Sequence, residues 1–97
     1  MDREPGVGDV ISFHEDKIKF VVERSSIAIV PAIEKGLVNI YYHIWARELI
    51  ILNSPDELWK YNPESRQINF TTGGLFANVV DPKDIKFHGQ MKMIFVK

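Results

Sequence analysis

The chain contains no cysteine, which removes disulfides and thiolate metal sites from consideration. It also lacks an excess of charge. Twelve Lys and Arg stand against thirteen Asp and Glu, a net of −1, so no global field draws the protein toward nucleic acid or an anionic membrane. No apolar run approaches the roughly 20 residues needed to span a bilayer, and the opening Met1-Asp2-Arg3-Glu4-Pro5 is polar, without the apolar stretch of a signal peptide. With cysteine missing as well, the expected location is cytoplasmic. Nucleophile elbow, phosphate-binding glycine loop and zinc-protease helix are all absent, and Gly6-Val7-Gly8 lacks the third glycine and preceding strand of a dinucleotide fingerprint. No catalytic residue, metal site or cofactor is therefore assigned.

What is present is ordinary globular material. Ninety-seven residues, 45% hydrophobic and 26% charged, suffice for one core and not for two. A single domain over residues 1–97 is expected, with residues 1–7, broken by Pro5-Gly6, a flexible lead-in.

Period-two alternation dominates. Residues 9–13 read as a strand ending at the charged corner His14-Glu15-Asp16, and 17–23 as a second strand with Ile18, Phe20 and Val22 on one face. Arg24-Ser25-Ser26 reads as a turn before a third strand, 27–30, stopped by Pro31. The segment from Leu37 fits two periods, but Val, Ile, Tyr and Trp favour pleated sheet, and Gly36 supplies no helix cap. Strands over 37–45 and 49–52, turning at Ala46-Arg47-Glu48, are expected; a helix is the alternative for the first of them.

Asn53-Ser54-Pro55-Asp56-Glu57 carries a capping box with Pro at the first helical position, predicting a short helix from Pro55 to Tyr61, stopped before Pro63. Strands over 67–70 and 75–80 flank Thr71-Thr72-Gly73-Gly74, Asp81-Pro82-Lys83-Asp84 turns the chain, and a last strand covers 91–96. Many short strands with one short helix predict a mainly β fold, a small barrel or strongly curled antiparallel sheet of the SH3-like or OB-like kind.

Gly8-Asp9-Val10-Ile11, followed by Ser26-Ile27-Ala28-Ile29-Val30-Pro31-Ala32-Ile33, resembles the first half of the MazF-type ribonuclease toxins. The resemblance implies a small barrel. It does not carry catalysis over, because the long glycine- and arginine-containing loop between the first strands of such toxins is replaced by His14-Glu15-Asp16.

Three side-chain groups invite a function. His14-Glu15-Asp16 holds possible ligands for a divalent ion, yet neighbours in a turn rarely converge on one centre, and a solvated corner is the expectation. In a strand over 37–45, Val38, Ile40, Tyr42 and Ile44 would face the core, leaving Tyr41, His43 and Trp45 in a row on the other face, about 6.6 Å apart. Tyr and Trp are favoured at interface hot spots and also stack on bases. The third group, Lys83, Lys86, His88 and Lys92 with Phe87 between them, is a candidate phosphate-binding stretch. The leading expectation is a non-enzymatic module that binds a protein partner or a further copy of itself through Tyr41, His43 and Trp45, in an inhibitory or structural role. Single-stranded nucleic-acid binding and a small ribonuclease-type enzyme are the alternatives.

Overall fold

The computed structural model describes residues 4–13, 17–52, 59–73 and 78–91. Among the described residues, seven strands and one turn of 3-10 helix make up the regular structure: β1 (Asp9–Ser12), β2 (Phe20–Pro31), β3 (Val38–Glu48), β4 (Ile50–Ile51), β5 (Trp59–Lys60), β6 (Gln67–Thr71), η1 (Pro82–Asp84) and β7 (Lys86–Gln90). Five of the strands form one antiparallel sheet in the order β6-β3-β2-β1-β7, and β4 pairs with β5. The mainly β expectation holds, with a sheet that is open between β6 and β7.

The long hairpin β2–β3 is the backbone of the molecule. Its register runs from Phe20↔Glu48 to Pro31↔Val38, and the alternation of β-branched residues is unbroken enough to sustain it. Arg24-Ser25-Ser26 is thus not a turn. The polar residues mark a β-bulge between Val22 and Arg24, where the extra residue, Glu23, is accommodated without ending the strand. Ala46-Arg47-Glu48 is likewise strand, because β6 pairs along it from His43↔Thr71 to Arg47↔Gln67. At the far end Leu37 N–H donates to the Glu34 carbonyl, with Gly36 at φ +88 in the third position of the turn, which a type II turn reserves for positive φ.

Both faces of the central strands are covered. On one, Ile11, Phe20, Val22, Ile44, Ala46, Phe70 and Ile85 are buried and Phe13, Tyr42, Ile68 and Phe87 pack against them. On the other, Val10, Val21 and Leu49 are buried beneath Trp59, Tyr61 and Met91. Burial on both faces explains why Val21 and Val22 are equally inaccessible although alternation alone would expose one.

Other elements differ from expectation for local reasons. Trp59-Lys60 is a strand paired with Ile50-Ile51 rather than the last turn of a helix; residues 53–58 lie outside the described residues. Strand β7, Lys86–Gln90, bends through Gly89 at φ +110 where the β1–β7 register shifts, and residues 92–96 of the expected last strand lie outside the described residues. Asp81 to Asp84 turns as expected, in the form of η1, with the Asp81 carboxylate accepting from Lys83 N–H at 2.9 Å. Ahead of β1, Pro5 is buried and Gly6 N–H donates to buried Asp9 at 2.7 Å. His14-Glu15-Asp16 falls outside the described residues; among those described there is no metal-binding group of His, Asp or Glu and no helix long and apolar enough to cross a membrane.

Candidate interaction surface

Among the described residues, flanking strands support only the near half of the β2–β3 hairpin. Strand β1 pairs with β2 at Phe20 and Val21, and β6 leaves β3 at His43. Beyond, from Ser25 to Pro31 and from Val38 to Tyr41, two strands continue as a ribbon, here called the arm, in a molecule 54 Å long and 22 Å thin.

The root of the arm is pinned by the bulge residue. Glu23 Oε1 accepts from Arg47 Nε at 3.0 Å and Gln67 Nε2 at 2.8 Å, and Oε2 accepts from the Tyr61 hydroxyl at 2.5 Å. Arg47 also donates to the Ser65 carbonyl at 2.9 Å. One carboxylate thereby ties β2, β3, β6 and the chain after β5 together. Burial pushes the Glu23 carboxyl pKa up, but the Tyr61 and Gln67 hydrogen bonds and the Arg47 guanidinium outweigh burial and hold it below the ordinary value. The same bond to Glu23, ahead of burial, raises the Tyr61 hydroxyl.

Past the bulge the two faces of the arm differ. One carries Tyr41, His43 and Trp45 opposite Ala28, Ser26 and Arg24. These rings are half-buried and lie against one another or on small neighbours. His43 stacks on Trp45 with centroids 3.9 Å apart, closer than strand spacing alone would place them, and the Arg24 guanidinium sits 4.6 Å from the Trp45 ring. A Cβ on Gly73 would fall 2.5 Å from the Tyr41 ring, so Tyr41 packs directly under that backbone. The row exists, opposite the core as alternation requires, but its rings already serve as partners for one another and for Arg24.

The opposite face holds Ile27, Ile29 and Pro31 against Tyr42, Ile40 and Val38. Only Ile44 and, in part, Tyr42 of the expected core-facing set reach the core, while Val38 and Ile40 are 57% and 55% exposed. Across from them Ile27 and Ile29 are 59% and 64% exposed, and Leu37 and Ile33 are exposed at the tip. At on the order of 100 Å² for a bare aliphatic side chain, Ile27, Ile29, Val38 and Ile40 offer about 240 Å² of apolar surface on this face. With exposed Pro31 beside them, the patch approaches the ~300–600 Å² of the largest patch on an ordinary monomer, the size at which such patches are often functional. Inspection of single strands does not reveal this face. The available signal is that Ser25-Ile27-Ile29-Pro31 alternates in step with Val38-Ile40-Tyr42-Ile44, giving one hairpin more aliphatic length than a third strand covers.

The basic stretch does not assemble into one face among the described residues. Lys83 and Lys86 are exposed beside Asp81 and Asp84, whereas His88 turns inward, its Nε2 2.7 Å from the Ser12 hydroxyl and its ring 6.3 Å from that of Trp59. Phe87 belongs to the core, and Lys92 lies outside the described residues. Ser12 and His88 have the spacing of a nucleophile and its base. Ser12 is wholly buried between β2 and β7, however, which leaves a substrate no approach and suits a cross-strand tie.

Comparison with protein-family models, with curated proteins and with solved structures finds no match to this chain.

Proposed function

We propose that this chain is a non-enzymatic protein-interaction module whose docking surface is the aliphatic face of the arm. The observation that carries the reading is the row Ile27, Ile29, Ile40 and Val38, each more than half exposed, on a ribbon that no third strand supports among the described residues. An isolated two-stranded ribbon is marginal in water, and β-branched side chains on an open face add a cost that a partner relieves. Protein is preferred to single-stranded nucleic acid because Trp45 already has two stacking partners, His43 and Arg24, and the exposed Lys83 and Lys86 stand in sequence among the exposed Asp81 and Asp84. The reading moves the surface from Tyr41, His43 and Trp45 to the other side of the same strand. The sheet supports an SH3-like interpretation: a meander β1-β2-β3-β6 whose last strand, β7, returns to β1, with the long bent β2 shared by both ends. A cytoplasmic setting, in keeping with the lack of cysteine, completes the proposal.

Capture of partners by tagged wild type, by the double variant Ile29→Glu/Ile40→Glu and by Tyr41→Ala/Trp45→Ala decides between the faces. Loss confined to the glutamate variant, with unchanged circular dichroism, supports the aliphatic face. Loss confined to the alanine variant would transfer the role back to the aromatic row.

A further inference from the structure

We infer that the partner seated on the aliphatic face is a second copy of this chain, packed face to face about a two-fold axis near the Ile29↔Ile40 pair. The inference rests on the arm being the docking surface and adds the identity of its occupant.

Area is the first argument. The aliphatic row supplies about 240 Å² of apolar surface per copy. Ordinary interfaces are only about 57% apolar, so burying the row implies on the order of 400 Å² per partner, the size of a weak, reversible pair rather than the ~800 Å² of a standard one. Neither a large groove nor a further domain is needed to supply the remainder, since Pro31, Ser25 and the arm backbone border the row.

Charge is the second. Between residues 24 and 44 the only charged side chains besides His43 are Arg24, Glu34 and Lys35. Arg24 is engaged on the aromatic face, and Glu34 and Lys35 are adjacent at the tip. The aliphatic face therefore has no field with which to select an acidic, basic or phosphorylated partner, and no like charge to repel its own copy.

Shape is the third. The face is a flat ribbon of β-branched residues in cross-strand pairs, and such faces pack on one another about 10 Å apart in sandwiches. In a two-fold arrangement every contact is made twice, so a modest patch is used by both copies at once. Placing the axis at mid-arm sets Ile29 and Ile40 of one copy against the same residues of the other.

Sedimentation of the full chain from micromolar to sub-millimolar concentration tests the inference, with Ile29→Glu/Ile40→Glu and the conservative Ile29→Val/Ile40→Val as the comparison. The wild type and the valine variant are expected as dimers, and the glutamate variant as a monomer with dimerisation weakened about a hundredfold or more, because two carboxylates per copy would be desolvated without partners. A second measurement keeps the test sound should the glutamate variant misfold. In this cysteine-free chain, Ile29→Cys should be joined into a pair by a short bis-maleimide that spans the ~10 Å between packed sheets, while Asn39→Cys, on the other face of the arm, should not. A wild type that is monomeric throughout overturns the second-copy inference and leaves the docking reading standing if capture of another protein still depends on Ile29 and Ile40. A dimer that persists in the glutamate variant overturns the inference by placing the interface elsewhere, and the capture comparison then decides the docking reading by itself.

Discussion

The two halves of the β2–β3 hairpin are built from the same residues and live in opposite surroundings. Near the root, Phe20, Val21, Val22, Ile44 and Ala46 are all buried, with β1 and β6 alongside and side chains layered on both faces. In the arm, Ile27, Ile29, Val38 and Ile40 have the same β-branched chemistry and stand more than half in water. Propensity makes both halves strand; burial depends on how far the neighbouring strands reach. The boundary lies just past the bulge at Glu23, where the pairing of β6 with β3 ends at His43.

Truncating equivalent side chains on the two sides of that boundary gives the largest expected effect. Ile44→Ala removes a fully buried side chain between Phe20, Val22 and Phe70 and should cost about 2–5 kcal/mol in urea unfolding. Ile40→Ala, on the same strand and face, should cost well under about 1 kcal/mol for the monomer. Comparable losses for the two would mean that the arm is packed in solution, and at low protein concentration would contradict the contrast.

Next in size is the clamp at the boundary. Glu23→Ala removes the acceptor for Arg47, Gln67 and Tyr61 and should cost about 1–3 kcal/mol. Its pH dependence has a definite sign. Since the folded carboxyl pKa lies below its ordinary value, Glu23 contributes stability that is complete above about pH 4.5 and is lost as pH falls through the folded pKa. Glu4 behaves oppositely. Burial raises its pKa, with the Thr72 hydrogen bond working against the rise, so its contribution is present in acid and lost as pH increases through that raised value. The acid loss assigned to Glu23 is thus the wild type minus Glu23→Gln, a difference in which the Glu4 contribution cancels; a flat difference between pH 6 and pH 3 would refute the assignment.

Much of the near half is legible in the residues, and the physical reason is alternation. The segment from Leu37 to Trp45 is strand, as its Val, Ile, Tyr and Trp content implies, and His43 and Trp45 do share a face. Arg24-Ser25-Ser26 and Ala46-Arg47-Glu48 were harder, because polar residues look like turns until their cross-strand partners are known. Arg47 is polar in order to meet Glu23, and Ser25 sits opposite Ile44 where the core ends. The exposure of Ile29 and Ile40 could not be read from alternation, which assigns a residue to a face and is silent about whether anything covers that face. His88 and Ser12 are 76 residues apart, so their contact has no local signal.

A smaller effect is expected where the chain enters the sheet. Gly8 has φ +93, and a Cβ there would lie 2.9 Å from the Met91 carbonyl oxygen. Gly8 N–H also donates to the Val22 carbonyl at 2.8 Å, and Met91 N–H to the Gly8 carbonyl at 2.7 Å, so the backbone has little room to shift. Gly8→Ala should cost about 1–3 kcal/mol, toward the lower end if the β7 side yields. Its effect should be confined to the body: amide exchange should quicken in β1 and β7 and stay unchanged in the arm.

The smallest expected effect belongs to Arg24, and it probes the arm side of the boundary. Its guanidinium is exposed and lies over Trp45, which in turn stacks on His43, so Arg24→Ala removes one exposed cation–π contact worth about 0.5–1 kcal/mol. If the arm is a ribbon with its own local stability, that loss should leave the urea midpoint of the body almost unmoved while amides of Ser26 to Val30 exchange faster. The pattern follows from position. Val22 and Ala46 are held by neighbours on both sides, whereas Ser26 has a strand partner only in His43, whose ring stacks on Trp45. A shift of the global midpoint as large as that from Glu23→Ala would instead mean that arm and body unfold as one unit, and the bulge would then be a bend in a single cooperative sheet rather than the border between two environments.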